Sequence, residues 1–165
     1  MKKVIGLVVA LGALLLLPLL AFPEEYNGRV VGVSDGDTLT LLVDGKRQVK
    51  VRLAEIDAPE GGQPYGNRSK QELSTLAFNK EARVRVQDTD RYGRTVGRVF
   101  VGSVDVSAEM IRRGAAWVFR KYAKDASLFK LEEEARGDKR GLWSLPESER
   151  IPPWEWRREK RSNQF

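Results

Sequence analysis

From Tyr26 onward the chain alternates apolar and polar positions with a period of two. Residues 26–33 read as a first strand, Asp35-Gly36 as a turn and Thr38–Val43 as a second strand. Asp44-Gly45 is a two-residue hairpin signal leading into a third strand over 46–56, where Val49, Val51 and Leu53 share one face and Lys50 and Arg52 the other. A Gly/Pro-rich loop over 57–64 follows. Leu73, Leu76 and Ala77 at i, i+3, i+4 predict a helix over about 67–79. Residues 82–86 and Thr95–Val101 alternate as two further strands joined by Asp90-Arg91-Tyr92-Gly93-Arg94. A short helix over Val106–Arg112 ends at Gly114, a residue suited to a left-handed helix terminus. A third helix is predicted over 125–139, with Leu128, Leu131 and Ala135 inward and Glu132, Glu133 and Glu134 solvated. Five short strands, one helix after the third and more helices at the end predict an α+β domain built on a five-stranded OB-type β-barrel with about three helices.

The two ends depart from this pattern. Met1-Lys2-Lys3 is a short positive segment, and no charged residue stands between Val4 and Phe22. This N-terminal hydrophobic leader is expected to be a secretory signal, either cleaved or kept as a membrane anchor, so that the domain is exported to the periplasm or the exterior. After Pro146 the chain is basic, proline-broken and tryptophan-bearing, and is expected to pack through Trp154 or Trp156 and fray beyond. The expected division is therefore a leader over 1–23, a barrel domain over 24–145 and a tail over 146–165.

Composition then narrows the chemistry. Among 165 residues there is no cysteine and no histidine. Ser-His-Asp and Cys-His machinery, zinc fingers, redox CxxC pairs and disulfide frameworks are all excluded. Any reaction must be carried by carboxylates, guanidiniums, amines, hydroxyls or a hard, oxygen-bound metal. Against 23 acidic residues stand 29 basic ones; without Lys2 and Lys3 the balance is 27 to 23, a modest excess of about +4 that favours an anionic partner.

Four polar fragments stand out: Asp35-Gly36-Asp37-Thr38, the run from Val51 to Glu60 (VRLAEIDAPE), Asp90-Arg91-Tyr92-Gly93-Arg94, and the run from Gly114 to Tyr122 (GAAWVFRKY). Each alone is explained by local structure, as a turn, a loop, a hairpin connection or a solvated strand face. Together they suggest more. Asp37 at a strand end and Asp57 and Glu60 past another are the oxygen donors that a cation such as Ca²⁺ takes. Arg52 and Arg94, on separate segments, can fork around one phosphate. With histidine absent, Glu60 is the candidate base, and a carboxylate needs a metal beside it to activate water at neutral pH. Arg52 and Asp57 are five residues apart, about 16 Å along an ideal strand, so both can address one phosphate only if the chain coils near Ala54-Glu55.

In this order and spacing, DGDT, RLAEIDAPE and DRYGR resemble the staphylococcal nuclease (thermonuclease) family over residues 26–143. The resemblance implies Asp37, Asp57 and the backbone carbonyl of Ala58 as Ca²⁺ ligands, with Asp35 behind them. It implies Arg52 and Arg94 on the scissile phosphate, Glu60 as the group that positions or deprotonates water, and Arg91, Tyr92 and Tyr122 around the bound nucleotide. Ala58 stands where a threonine is usual, Arg91 where a lysine is, and Arg120 where a second pocket tyrosine is. The implied activity is Ca²⁺-dependent hydrolysis of DNA and RNA, single-stranded or frayed by preference, leaving 3′-phosphates. The chain is expected to act as a monomer with no obligate protein partner. The competing expectation is a catalytically inactive OB-fold module that binds nucleic acid.

Overall fold

The computed structural model describes residues 24–163. The expected hydrophobic leader lies outside them. Strands β1 (Glu25–Asp35), β2 (Thr38–Val43) and β3 (Arg47–Leu53) form an antiparallel meander. Two-residue β4 (Ile56–Asp57) and helix α1 (Gly66–Ala77) precede β5 (Glu81–Thr89) and β6 (Thr95–Val101). The order β3-β2-β1-β5-β6 closes into a barrel because β3 and β6 also pair, in parallel, with Arg52 opposite Val96. Closure leaves the main sheet no long free edge. Its interior is filled by Val30, Leu39, Leu41, Val51, Leu53, Val84 and Val99, all fully buried.

Short β7 (Val104–Asp105) leads into α2 (Val106–Arg112), whose first turn is capped by the Asp105 carboxylate accepting from Ala108 N–H. Gly114 ends it at φ 65°. Gly114 N–H donates to the Ile111 carbonyl and Ala115 N–H to that of Met110, which satisfies the last carbonyls of the helix in a Schellman arrangement. Strand β8 (Trp117–Val118) then pairs with β4, fixing Asp57 opposite Trp117. Helix α3 (Ser127–Gly137) and α4 (Pro153–Ser162) complete the fold. Among the described residues no helix is long and apolar enough to cross a membrane.

Three expectations are corrected. The strand predicted over 46–56 is broken at Ala54-Glu55, where Glu55 takes φ 69°. A non-glycine residue there is strained, and its carboxylate is what holds it: Glu55 accepts from the backbone N–H groups of Lys124 (2.6 Å) and Asp125 (2.9 Å) and pairs with Arg98. Glu132, expected in solvent, is only 2% exposed, because it accepts from Val118 N–H and from Arg120, each at 2.9 Å. The barrel carries four α-helices, and the fourth packs through Trp154 as expected but stays helical to Ser162, where fraying was expected. It is held by Trp154, which stacks on Phe119 at 5.6 Å with an interplanar angle of 4° and meets Trp117 edge-on at 5.9 Å.

Candidate active site

The site begins at the tight connection between β1 and β2. Asp35 accepts from Asp37 N–H at 3.0 Å, turning the chain within two residues. Gly36 is required there by crowding: a Cβ would stand 1.9 Å from Ser69 Oγ and 2.8 Å from Ala58 Cβ. Asp37 is thereby pressed against the start of the 57–64 loop, and its Oδ2 accepts from Ala58 N–H at 2.8 Å. Burial, and then the charge of Asp37, push the Asp35 carboxyl up to about 6.

Arg52 ties the two acidic segments together. The β2–β3 register places it opposite Thr38. Its Nε lies 3.1 Å from Asp37 Oδ1, and its Nη2 donates to Asp57 Oδ1 at 2.9 Å. Nη1 donates to the carbonyls of Leu53 and Ile56, at 2.7 and 2.8 Å, so the guanidinium also clamps the Ala54-Glu55 turn that brings Asp57 back. These contacts engage Nε, both N–H groups of Nη1 and one of Nη2, leaving a single Nη2 N–H without a partner among the described residues. Asp57 is fully buried; burial raises its carboxyl above the usual range and the neighbouring Asp37 adds to this, against the opposing pull of Arg157 and Arg52.

Glu60 follows in the same loop. Its N–H donates to Gln63 Oε1 at 3.1 Å, and its side chain is 40% exposed, so it opens toward solvent. Arg94 enters from the β5–β6 connection. Burial pushes the Asp90 carboxyl up, but bonds from the Arg94 backbone, the Arg94 side chain and Tyr92 N–H bring it below the usual range. Arg94 Nε donates to Asp90 at 2.8 Å, while Nη1 donates to Thr38 Oγ1 at 3.3 Å, and Thr38 in turn donates to Asp37 at 3.1 Å.

The structure thus brings Asp35, Asp37, Arg52, Asp57, Ala58 and Glu60 into one connected group, with Arg94 joined through the Thr38 hydroxyl. Tyr92 is 70% exposed beside Arg91 and Arg94, whose guanidiniums stand 4.9 and 5.6 Å from its ring. Tyr122, 55% exposed, stands apart from that group, edge-on to Phe119 at 4.8 Å. Arg120 turns to Glu132 rather than to the site.

One member was not anticipated. Arg157 of α4 donates to Asp57 Oδ2 at 2.6 Å and to Glu60 Oε1 at 2.7 Å. A usable signal was present in the sequence: Pro153 suits a first helical position, and Trp154 and Arg157 at i, i+3 fall on one face of the helix that follows.

The Asp37 and Asp57 carboxylates, bridged by Arg52 and with Arg157 also on Asp57, form with the adjacent Ala58 carbonyl an all-oxygen donor set of the kind that a hard divalent cation takes. Among the described residues, no three acidic side chains form a closed cage, so water and substrate oxygens would complete the coordination. Exposed Tyr92 beside Arg94, which reaches the donor set through Thr38, fits a phosphodiester with an unstacked base.

Comparison with known proteins gives the family. The sequence profile of the family described as staphylococcal nuclease homologue matches residues 50–145. The chain is 44% identical over 146 residues to "Protein ParB" of Escherichia coli, covering 82% of this chain and 81% of that protein. It is 41% identical over 145 residues to "Micrococcal nuclease" of Shigella flexneri, covering 81% and 82%. It is also 41% identical over 140 residues to "Uncharacterized endonuclease" of Haemophilus influenzae, covering 85% and 78%. With its barrel, its motifs and these relatives in agreement, the chain belongs to the staphylococcal nuclease family.

Proposed function

We propose that this protein is an exported, Ca²⁺-dependent nuclease that hydrolyses DNA and RNA with little sequence preference. The observation that carries the reading is Arg52 bridging Asp37 and Asp57, with Glu60 in the same loop and Arg94 joined through Thr38. Asp37, Asp57 and the Ala58 carbonyl would hold the cation. When bound, Ca²⁺ would supply positive charge against the phosphate and ease the deprotonation of water.

The protein groups divide the remaining work. Glu60 accepts a proton from water as the water oxygen bonds to phosphorus in line with the departing 5′-oxygen. The P–O5′ bond breaks, the 5′-oxygen takes up a proton, and the phosphate stays on the 3′ side. Arg94 and the free part of Arg52 donate to the phosphate oxygens as negative charge accumulates on them. Tyr92 and Tyr122 offer exposed ring faces to bases, which favours single strands and frayed ends over closed duplex. Export rests on the lysine-flanked, uncharged run between Val4 and Phe22.

The test is cleavage of heat-denatured DNA by the purified protein with Ca²⁺ and with chelator. Cleavage with Ca²⁺ only, and loss of about 10²- to 10⁴-fold in Glu60→Gln, is expected. Binding without Ca²⁺-dependent cleavage would instead identify a nucleic-acid-binding module. Fractionation of expressing cells tests export.

A further inference from the structure

Helix α4 reaches the same loop from the far end of the sequence. Pro153 is buried, and the Trp154 stack on Phe119 fixes the helix against the segment that follows β8. One turn on, Arg157 faces the site. Its Nη2 donates to Asp57 Oδ2 at 2.6 Å, and its Nη1 meets Asp57 Oδ1 at 3.2 Å and Glu60 Oε1 at 2.7 Å. Among the described residues it is the one side chain bonded to the Glu60 carboxylate. A second tie runs through Gln63, which accepts from Glu60 N–H and donates to the Ile151 carbonyl just before α4. Both the backbone and the side chain of Glu60 are therefore held by the segment that carries Arg157.

Such a bridge does something that a solvated ion pair does not. Asp57 is fully buried and clamped on its other side by Arg52, so it is a fixed point. A planar guanidinium bonded to a fixed carboxylate has little freedom left, and it passes that order on to Glu60. Without it, Glu60 is a half-exposed side chain next to like charges, free to swing away from the phosphate.

We infer that Arg157 is a positioning residue: bridging Asp57 and Glu60, it holds the Glu60 carboxylate at a fixed place beside Asp57, and α4 is thereby part of the active site. Arg157 acts through Glu60 and not by contact with the substrate. The inference rests on the reading of Glu60 as the base.

The experiment compares wild type, Arg157→Gln and Arg157→Lys on denatured DNA at saturating Ca²⁺, with Ca²⁺ affinity measured separately by calorimetry. At saturating Ca²⁺, Arg157→Gln is expected to lower kcat by about 10²-fold, the usual effect of a base misplaced by about 1 Å, while KM changes by less than about threefold. Arg157→Lys is expected to recover part of the loss. In a Glu60→Gln background, Arg157→Gln is expected to add less than about twofold, because its route is already cut. Full additivity in that background, or an unchanged kcat in folded Arg157→Gln, overturns the inference. So does tighter Ca²⁺ binding with undiminished kcat, which would make Arg157 a stand-in cation. If Arg157→Gln does not fold, Arg157→Met keeps the aliphatic stem and carries the same comparison. A wild type that does not cleave refutes the proposed nuclease reaction itself, an outcome separate from any of these.

Discussion

Arg52 donates to Asp57 at 2.9 Å although five positions separate them and the sequence presents an unbroken strand from Arg52 up to Ile56. The contact exists because the chain turns at Glu55, whose φ of 69° is held by Arg98 and by the N–H groups of Lys124 and Asp125. A carboxylate bonded to none of the site residues thus sets the spacing of the site.

Glu55→Ala is therefore expected to damage stability and activity together. It leaves two N–H groups without their acceptor and Arg98 with only Asp105 and Asp125, a loss of about 3 kcal/mol. Urea unfolding measures the first effect. The second is read as a fall in kcat under conditions where the variant is still folded.

The same carboxyl predicts an acid limit. Burial raises its affinity for a proton, but the two backbone bonds and Arg98 outweigh burial and bring it below its ordinary 4.5. A group lowered on folding contributes stability that is complete above 4.5 and is lost as pH falls through the folded value. Asp35, raised from 3.8 to about 6, has the opposite sign: its contribution is present below 3.8 and lost as pH rises through about 6. Urea midpoints are expected to drop below pH 4.5, with a shallower drop in Glu55→Gln and the shallow opposing slope removed in Asp35→Asn.

How much of this was open to sequence reasoning differs from element to element. The alternation in Thr38–Val43 and Thr95–Val101, and the Gly114 signal after Val106–Arg112, are local, and those elements form with those bounds. The break at Ala54-Glu55 carries no glycine or proline; its cause lies about 70 residues away, at the N–H groups of Lys124 and Asp125. Glu132 sits in a run of three glutamates, and only tertiary contact with Val118 and Arg120 separates it from its neighbours. Within the site, the motif spacing groups Asp37, Arg52, Asp57 and Glu60. Arg157 joins from 97 positions beyond Glu60, a distance over which local pattern gives no pairing.

Arg94→Lys tests whether geometry or charge matters at the second arginine. Lysine keeps the charge but has no planar fork, whereas Arg94 reaches Asp90 through Nε at 2.8 Å and Thr38 through Nη1 at 3.3 Å. Cleavage is expected to fall by about 10²-fold or more, as when one transition-state donor is removed, with Ca²⁺ affinity measured by calorimetry unchanged.

Ca²⁺ is expected to stabilise the fold apart from any turnover. Asp37 and Asp57 repel each other while buried, and a cation held by both relieves this. At a concentration about 100 times its Kd, the ion adds about 2.7 kcal/mol, read as a rise in the thermal midpoint that chelator reverses. Asp57→Asn should abolish that rise.

The parallel pairing of β3 with β6 has a kinetic meaning as well. Arg52 lies on β3 and Arg94 immediately precedes β6, so the strand contact that shuts the barrel also sets the two arginines in place. That contact joins residues more than 40 positions apart, among the slower events in a folding chain. No species that still lacks it can hold both arginines at one phosphate. On dilution from urea, the recovery of cleavage will therefore trail the return of helical signal and keep time with barrel closure.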